Sequence, residues 1–415
     1  MKNVFIKRQI YKNLQKHLDK KEISLLIGPR QSGKTTLLKR LKNNLDKQGE
    51  VSLYFNLDIV SDRQVIKEQT EFIAYLRNKI GDKKAYIFID EVQRLANPGL
   101  FLKGIYDLEL PYKLIVSGSS ALEIKSKISE PLTGRKKVFY LTTLSFDEFV
   151  NFKKPDLLTL KPAKKAFYQQ YLLLLNEYLR FGGYPKVVLQ KSQQEKIETL
   201  EEIYSSYLEK DIKGCFKVQN ESSFLTVVGL LAGQIGNLLN KNLLAAHSAS
   251  SRATIDNFLL YLEKSFVIKI IKPFSRNPKK ELTKTPKVYF CDLGLRNLAI
   301  RNFVDFTKRQ DKGKLFENAV LIKLKKETKI PDKINHWRTK TKAEVDFVIS
   351  RGLATIPIEV KSKNLKKPLY SKSFRSFIKK YSPKKAIVVN LGFKKEGKIA
   401  STTVLTKPFF EKILD

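Results

Sequence analysis

Two groups of residues in this 415-residue chain have types and spacings suited to phosphate chemistry. The first is Gly28-Pro29-Arg30-Gln31-Ser32-Gly33-Lys34-Thr35, a G-x-x-x-x-G-K-[ST] pattern followed by Thr36. Such a loop turns backbone N–H groups inward around an anion, and the helix that follows presents its positive end to the same place. Lys34 is expected to reach the outer phosphates of ATP, and the Thr35 hydroxyl to coordinate Mg²⁺. Asp90 and Glu91 close the run AYIFIDE (85–91). Asp90 suits a direct or outer-sphere Mg²⁺ position, and Glu91 can polarise the attacking water. The second group is Glu317, Asp346, Glu359 and Lys361. Three carboxylates and a lysine converging from a helix and two strands would bind one or two Mg²⁺ ions, with Asp346 and Glu359 as ligands. Lys361 would then position water for attack on phosphorus. The competing account of this group is an ion-pair cluster that cuts nothing.

The elements that must hold these groups can be read from periodicity. ISLLIG (23–28) is a short apolar run before the glycine-rich loop, and TLLKRLKNNL after it repeats as a helix does. VSLYFNLD (51–58), AYIFIDE and KLIVSGSS (113–120) read as further strands of a parallel α/β sheet, with ligands at the carboxyl ends. Ser117 or Ser119 would then sit near the γ-phosphate. Arg135, just before VFYL (138–141), could reach a phosphate in cis or across a subunit boundary. In the second group, Glu317 lies on the apolar stripe of LFENAVLIKL (315–324) with Val320, Leu321 and Leu324. INHWRTK and AEVDFVIS read as a hairpin whose two-residue alternation puts Glu344 and Asp346 on one face; IPIEVKS likewise pairs Glu359 with Lys361.

GPRQSGKTTLL, FNLD, IDEVQR, SGSS, LTGR, LSFDEF and RFGGYP follow one another along the chain. In this order they resemble AAA-type ATPases of bacteria and archaea that carry a C-terminal domain of unassigned function. The resemblance implies that Asp90 and Glu91 are the acidic pair and that Gln93 belongs to the same signature. It also implies that the Gly182-Gly183-Tyr184-Pro185 turn ends the ATPase module. The order Glu317, Asp346, Glu359-Val-Lys361 resembles the PD-(D/E)xK nuclease core, of α-β-β-β-α-β architecture ending in AIVVNLG (386–392).

Between these ends, residues 146–220 repeat at three- and four-residue steps and read as a helical lid, with Arg180 either sensing the γ-phosphate or offsetting its own helix dipole. Residues 222–275 give three helical segments and a strand; with KVYFCD (287–292) they follow winged-helix logic. Lys269, Lys272, Arg276, Lys279, Lys280, Lys284 and Lys287 make the presumed wing basic, and Ser251, Arg252 and Thr254 are candidate DNA contacts. The same unit could instead be a packing module.

Composition bounds the rest. The formal charge is +38, carried by 63 Lys and 16 Arg, and 13 Lys/Arg fall between 361 and 398 with Glu396 the one acidic residue. That excess predicts a polyanion partner, DNA above all, although a lysine-favouring genome would give the same skew. Two cysteines and three histidines exclude a disulfide framework and argue against a Cys/His zinc cluster. No apolar run is long enough to span a membrane and the start has no signal-peptide core, so a cytoplasmic setting is expected. A homo-oligomer is also expected, since such modules often use a neighbour's arginine.

The expected architecture is α/β: a P-loop ATPase domain (1–145), a helical lid (146–220), a winged-helix-like domain (221–280) and a nuclease-like domain (281–415). The expected function is that of an ATP-hydrolysing, DNA-binding protein with an Mg²⁺-dependent phosphodiesterase site in its tail. The alternative is a nucleotide-dependent switch that binds nucleic acid or protein, its tail inactive.

Overall fold

The structure is a computed structural model that describes residues 5–118, 131–158, 165–209, 212, 218, 220–275 and 285–415. Ser119, Arg276, Lys279, Lys280 and Lys284 lie outside the described residues. Its first part is a five-stranded parallel sheet of β1 (Ile23–Ile27), β2 (Val51–Asn56), β3 (Ala85–Asp90), β4 (Tyr112–Gly118) and β5 (Lys136–Tyr140), in the order β2-β3-β4-β1-β5. β1, β3 and β4 are buried at every position, which is why they read as unbroken apolar runs; β2 and β5 flank them with mixed exposure. Because all five strands run one way, every loop that follows a strand opens on the same edge. Register places Ile27 beside Gly118, and Asn56 beside Asp90. Gly28, Glu91 and the end of β4 therefore share that edge. The helix Lys34–Lys47 covers one face through Leu37, Leu38, Leu41 and Leu45, and the helix Gln69–Ile80 packs into the core on the other.

Helices Phe146–Lys153, Lys165–Phe181, Pro185–Val188 and Gln193–Tyr207 follow. The first and last start with capping boxes, Ser145 with Glu148 and Ser192 with Glu195. Three further helices, Glu221–Gly233, Lys241–His247 and Arg252–Lys264, precede an antiparallel pair, β6 (Ile268–Ile271) and β7 (Lys287–Phe290). Directly after β6, Phe274 N donates to His336 O at 2.5 Å, and His336 N to Lys272 O at 3.1 Å, so residues 272–274 dock on the C-terminal part.

The C-terminal part holds the helix Lys312–Glu327 and a six-stranded sheet. Its strands are β8 (Lys333–Arg338), β9 (Glu344–Arg351), β10 (Ala354–Val360), β11 (Lys385–Asn390), β12 (Lys395–Ile399) and β13 (Thr402–Pro408), in the order β12-β13-β11-β10-β9-β8. β8, β9 and β10 are antiparallel neighbours, and β10 crosses over through the helix Lys372–Tyr381 to parallel β11. Two strands, β12 and β13, extend the sheet beyond the run 386–392 expected to end it. One hydrophobic core runs from Leu144 through the lid, the three helices and the helix Lys312–Glu327 to Leu414, crossing the boundaries drawn from sequence at 220 and 280. A second packs the Lys372–Tyr381 helix on the other face of the sheet through Phe374, Phe377 and Ile378.

Candidate nucleotide site and the C-terminal charge cluster

At the carboxyl edge of the first sheet, Gly33 holds a left-handed conformation (φ 95°) at the start of the Lys34–Lys47 helix. Glycine is needed there because a Cβ would strain the backbone, and that turn aims the N-terminal amides of the helix into the loop. Gly28 is needed for closeness: a Cβ on it would lie 1.9 Å from Leu141 O. Lys34 is buried, and its ammonium donates to Gly28 O at 3.0 Å and Pro29 O at 2.9 Å, across the mouth of its own loop. Gln31, with φ 56°, completes the curl, and Ser32 Oγ donates to Pro29 O at 2.8 Å. Arg30 is the third residue of the loop, and Thr36 lies in the first turn of the helix that follows.

Asp90 is fully buried at the end of β3 and accepts three hydroxyl protons: from Thr35 Oγ1 at 2.6 Å, from Tyr54 OH at 2.8 Å and from Ser117 Oγ. Burial, and then the charge of Asp90, raise the Tyr54 phenol well above its ordinary pKa, so it stays a donor. The Thr35 hydroxyl and the Asp90 carboxylate are hard oxygen donors of the kind Mg²⁺ takes, side by side next to Lys34, so the residues present fit a nucleotide-bound magnesium ion. Glu91 follows in a left-handed conformation (φ 60°, ψ 43°) that costs a non-glycine residue of the order of 1 kcal/mol. Its carboxylate accepts a hydrogen bond from Gln93 Nε2, while its backbone N–H donates to Ser117 Oγ at 3.4 Å. Of the two serines considered at the end of β4, Ser117 is the one joined to Asp90; Ser119 lies outside the described residues.

Arg135 requires a correction. It immediately precedes β5, whose first residue pairs with Ile23 at the start of β1, so it stands at the sheet edge opposite the loop. Its guanidinium is bound to Asp107, with Nε 2.7 Å from Oδ1, so in its own chain it is engaged on the edge away from the glycine-rich loop. Arg180 donates to Phe303 O at 2.8 Å and to Gln193 Oε1 at 2.9 Å.

Arg8 was not singled out in the sequence. It is buried, and donates to Ser32 O at 2.9 Å, to Thr142 O and to Glu148 Oε1 at 3.2 Å, tying the loop to the end of β5 and the lid. The readable signal was the S-x-x-E pattern of Ser145–Glu148, which fixes one of its partners. The Gly182–Pro185 turn also reaches the loop: Pro185 Cγ lies 3.9 Å from where a Gly33 Cβ would stand. Buried Asp292 holds that turn through Gly183 N at 2.9 Å while capping the helix Leu293–Ala299 at Gly294 N.

In the C-terminal part the four expected residues fall into two clusters. Glu317 accepts from Tyr289 OH at 2.5 Å, Lys314 Nζ at 2.9 Å and Lys287 Nζ at 3.4 Å. Lys287 also binds Glu344 at 2.5 Å, which in turn takes Arg338 at 2.6 Å. Burial alone would lower the Lys287 pKa, but the charges of Glu317, Asp346 and Glu344 outweigh it and hold it above its usual range. Asp346 accepts from Val360 N at 2.8 Å, and burial, then the charge of Glu317, push its pKa up to about 7. Glu359 belongs elsewhere: it accepts from Lys361 Nζ at 2.8 Å and from Ser371 N at 3.3 Å, at the start of the Lys372–Tyr381 helix. Among the described residues no three His, Cys, Asp or Glu side chains gather closely enough to hold a metal ion. The expected convergence of Glu317, Asp346, Glu359 and Lys361 on one ion is thus not what the structure gives. The reason lies in β10: Ile356, Ile358 and Val360 pack with the Lys312–Glu327 helix, so alternation turns Glu359 to the opposite face of the sheet, away from Glu317. A bulge between the pairs Asn335–Val348 and Trp337–Val345 lets Val345 and Val348 both pack toward the Lys372–Tyr381 helix, while Glu344 and Asp346 stay together beside Lys287.

Two surface expectations are also placed. Ser251 caps its helix by accepting from Thr254 N at 3.1 Å, and Arg252 donates to Asn242 Oδ1 at 3.2 Å. No helix among the described residues is long and apolar enough to cross a membrane.

Residues 20–150 match a protein family described as AAA domain, and residues 172–305 and 312–409 match two families described as domains of unknown function, DUF8612 and DUF4143. Among curated relatives, an uncharacterized protein of Haemophilus influenzae is 27% identical over 337 residues, covering 78% of this chain and 80% of its own. The uncharacterized protein MJ1544 of Methanocaldococcus jannaschii is 25% identical over 349 residues, covering 82% and 75%. Among solved structures, the Aeropyrum pernix ORC2 protein in its ADP form aligns with 65% of this chain and 88% of its own, at 13% identity and a TM-score of 0.36, a likeness that carries no argument about function. The domain match and the loop geometry together support an AAA-type P-loop nucleotide-binding module in the N-terminal part of the chain.

Proposed function

We propose that the chain binds and hydrolyses ATP with Mg²⁺ and that this nucleotide cycle governs its hold on a nucleic acid, DNA in the first instance. The observation that carries the reading is Asp90, buried beside Lys34 and gathering Thr35, Tyr54 and Ser117. In this reading the loop from Gly28 to Thr36 cradles the phosphates, Lys34 exchanges its bonds to Gly28 O and Pro29 O for phosphate oxygens, and Thr35 and Asp90 hold Mg²⁺. Magnesium, when bound, neutralises charge developing on the phosphates. Glu91, held by Gln93, orients the attacking water.

The polyanion half rests on the net charge of +38 and on the exposed Lys366, Lys367, Lys372, Arg375, Lys379 and Lys380 in and before one helix. The paired state of Lys361 and of Glu317 favours the switch over the nuclease: these groups answer one another's charge. The experiment measures ATP turnover and fluorescent-duplex binding for wild type, Lys34→Ala and Glu91→Gln. Glu91→Gln should retain ATP binding, lose at least tenfold in turnover and remain in the ATP-dependent DNA state; DNA binding indifferent to nucleotide in all three would refute the switch.

A further inference from the structure

A cavity of about 480 Å³ opens where the end of β5, the turn from the Arg252–Lys264 helix into β6, and the C-terminal half of the Lys312–Glu327 helix meet. None of its lining residues belongs to the P-loop. Its walls are of two kinds. The rings of Tyr140, Phe266 and Phe290 and the side chains of Ile268 and Leu321 make most of the surface apolar; Tyr140 and Phe266 meet edge to face with centroids 6.3 Å apart. Lys264, Lys325 and Lys326 also line it, and none of the three has a hydrogen-bond or ion-pair partner for its ammonium among the described residues. The cavity's carboxylate, Glu263, is engaged by Lys269 at 2.6 Å and by Ile270 N at 3.3 Å, so it does not balance them.

Apolar walls with a few convergent charged groups, at this volume, are the usual make-up of a small-molecule site. Lys325 lies close enough to Lys326 to act on its charge, and Lys264 lines the same space, so a dianion answers this positive excess more fully than a single carboxylate would. Ring walls favour a planar body, since aromatic side chains gain from stacking and edge contacts. We propose that this cavity is a second ligand site, separate from the P-loop, that takes a small heteroaryl phosphate of mononucleotide size. Lys264, Lys325 and Lys326 hold the phosphate, and Tyr140, Phe266 and Phe290 enclose the ring. Burial, with the nearby charges of Arg8 and Lys325, lowers the Lys326 pKa to about 8 against the pull of Glu148.

The test uses the full-length Lys34→Ala chain without Mg²⁺, which silences the P-loop, and 8-anilinonaphthalene-1-sulfonate as probe. One equivalent should bind per chain and be displaced by AMP, with the same AMP affinity in wild type. Lys264→Glu with Lys325→Glu, a change confined to solvent-accessible side chains, should weaken AMP at least tenfold while leaving the thermal transition in place. Ile322→Trp, which fills the cavity and keeps its charges, should abolish probe binding. AMP that fails to displace the probe, or that binds the charge-reversed chain as tightly as wild type, overturns the proposal. Decanoate displacing the probe as well as AMP does overturns the planar-ring assignment.

Discussion

Thr35 Oγ1 stands 2.6 Å from Asp90 Oδ2, so the hydroxyl at the foot of the glycine-rich loop and the carboxylate at the end of β3 already form one oxygen pair. That contact joins residues 55 positions apart, and it exists because β1 and β3 are parallel and end on the same edge. Magnesium would be inserted between two donors that are already neighbours. Asp90→Asn keeps the shape but removes the charge, and should cut ATP turnover at least tenfold, with the Mg²⁺ concentration for half-maximal rate rising. Turnover at unchanged Mg²⁺ dependence would count against the assignment.

The two glycines of the loop should fail differently. Gly28→Ala forces a Cβ to within 1.9 Å of Leu141 O, where both sides are backbone. Gly33→Ala strains φ but meets nothing nearer than 3.9 Å. Thermal or urea unfolding should show Gly28→Ala losing about 2–3 kcal/mol and Gly33→Ala about 1–2 kcal/mol.

Lys287 is the hub of the C-terminal cluster, buried between Glu317 and Glu344. Lys287→Met leaves two carboxylates facing each other and should cost about 3–5 kcal/mol. Adding Glu317→Gln should recover part of that loss, and a double-mutant cycle reads the coupling. Additive losses would mean the pair does not interact.

Lys113 supplies a pH signature. Buried at the start of β4, it donates to Lys20 O at 2.7 Å, and burial lowers its pKa from 10.5 to about 8. The folded chain therefore sheds this proton first, and between pH 8 and 10.5 the unfolded chain holds more protons. This group's contribution to stability must rise with pH across that window. Measured by urea unfolding, the wild-type stability relative to Lys113→Met should climb by on the order of 2 kcal/mol; a flat difference would contradict the shift.

Plasmid incubated with the wild-type chain in Mg²⁺ or Mn²⁺, with or without ATP, should stay supercoiled, because Glu359 and Lys361 answer each other apart from Glu317 and Asp346. Nicking that disappears in Asp346→Ala would show that a metal can draw the two clusters together.

The nucleotide loop was legible because its chemistry is local: eight consecutive residues between an apolar run and a helical one. Asp90 was legible for a similar reason, as the end of an all-buried strand. Tyr54 and Arg8 were not, since each reaches its partner only through strand order or chain folding. Arg135 could have been placed correctly, because a residue that precedes a parallel strand stands on the edge away from the loops. The C-terminal group misled because alternation relates residues within one strand but does not say which face the neighbouring helix covers. Glu344 and Asp346 do share the Lys287 cluster, whereas the helix carrying Glu317 packs on the face of β10 opposite Glu359. Lys287, read as part of a basic wing, is instead buried in that cluster.

The most direct test of the account is calorimetric titration of the full chain with ATP and Mg²⁺. Wild type should bind one equivalent at the P-loop, and Lys34→Ala, with an unchanged far-ultraviolet spectrum, should bind at least tenfold more weakly, a loss of about 1.4 kcal/mol or more. Equal affinity in the two chains, or none in wild type, would contradict the central claim that this loop holds a nucleoside triphosphate.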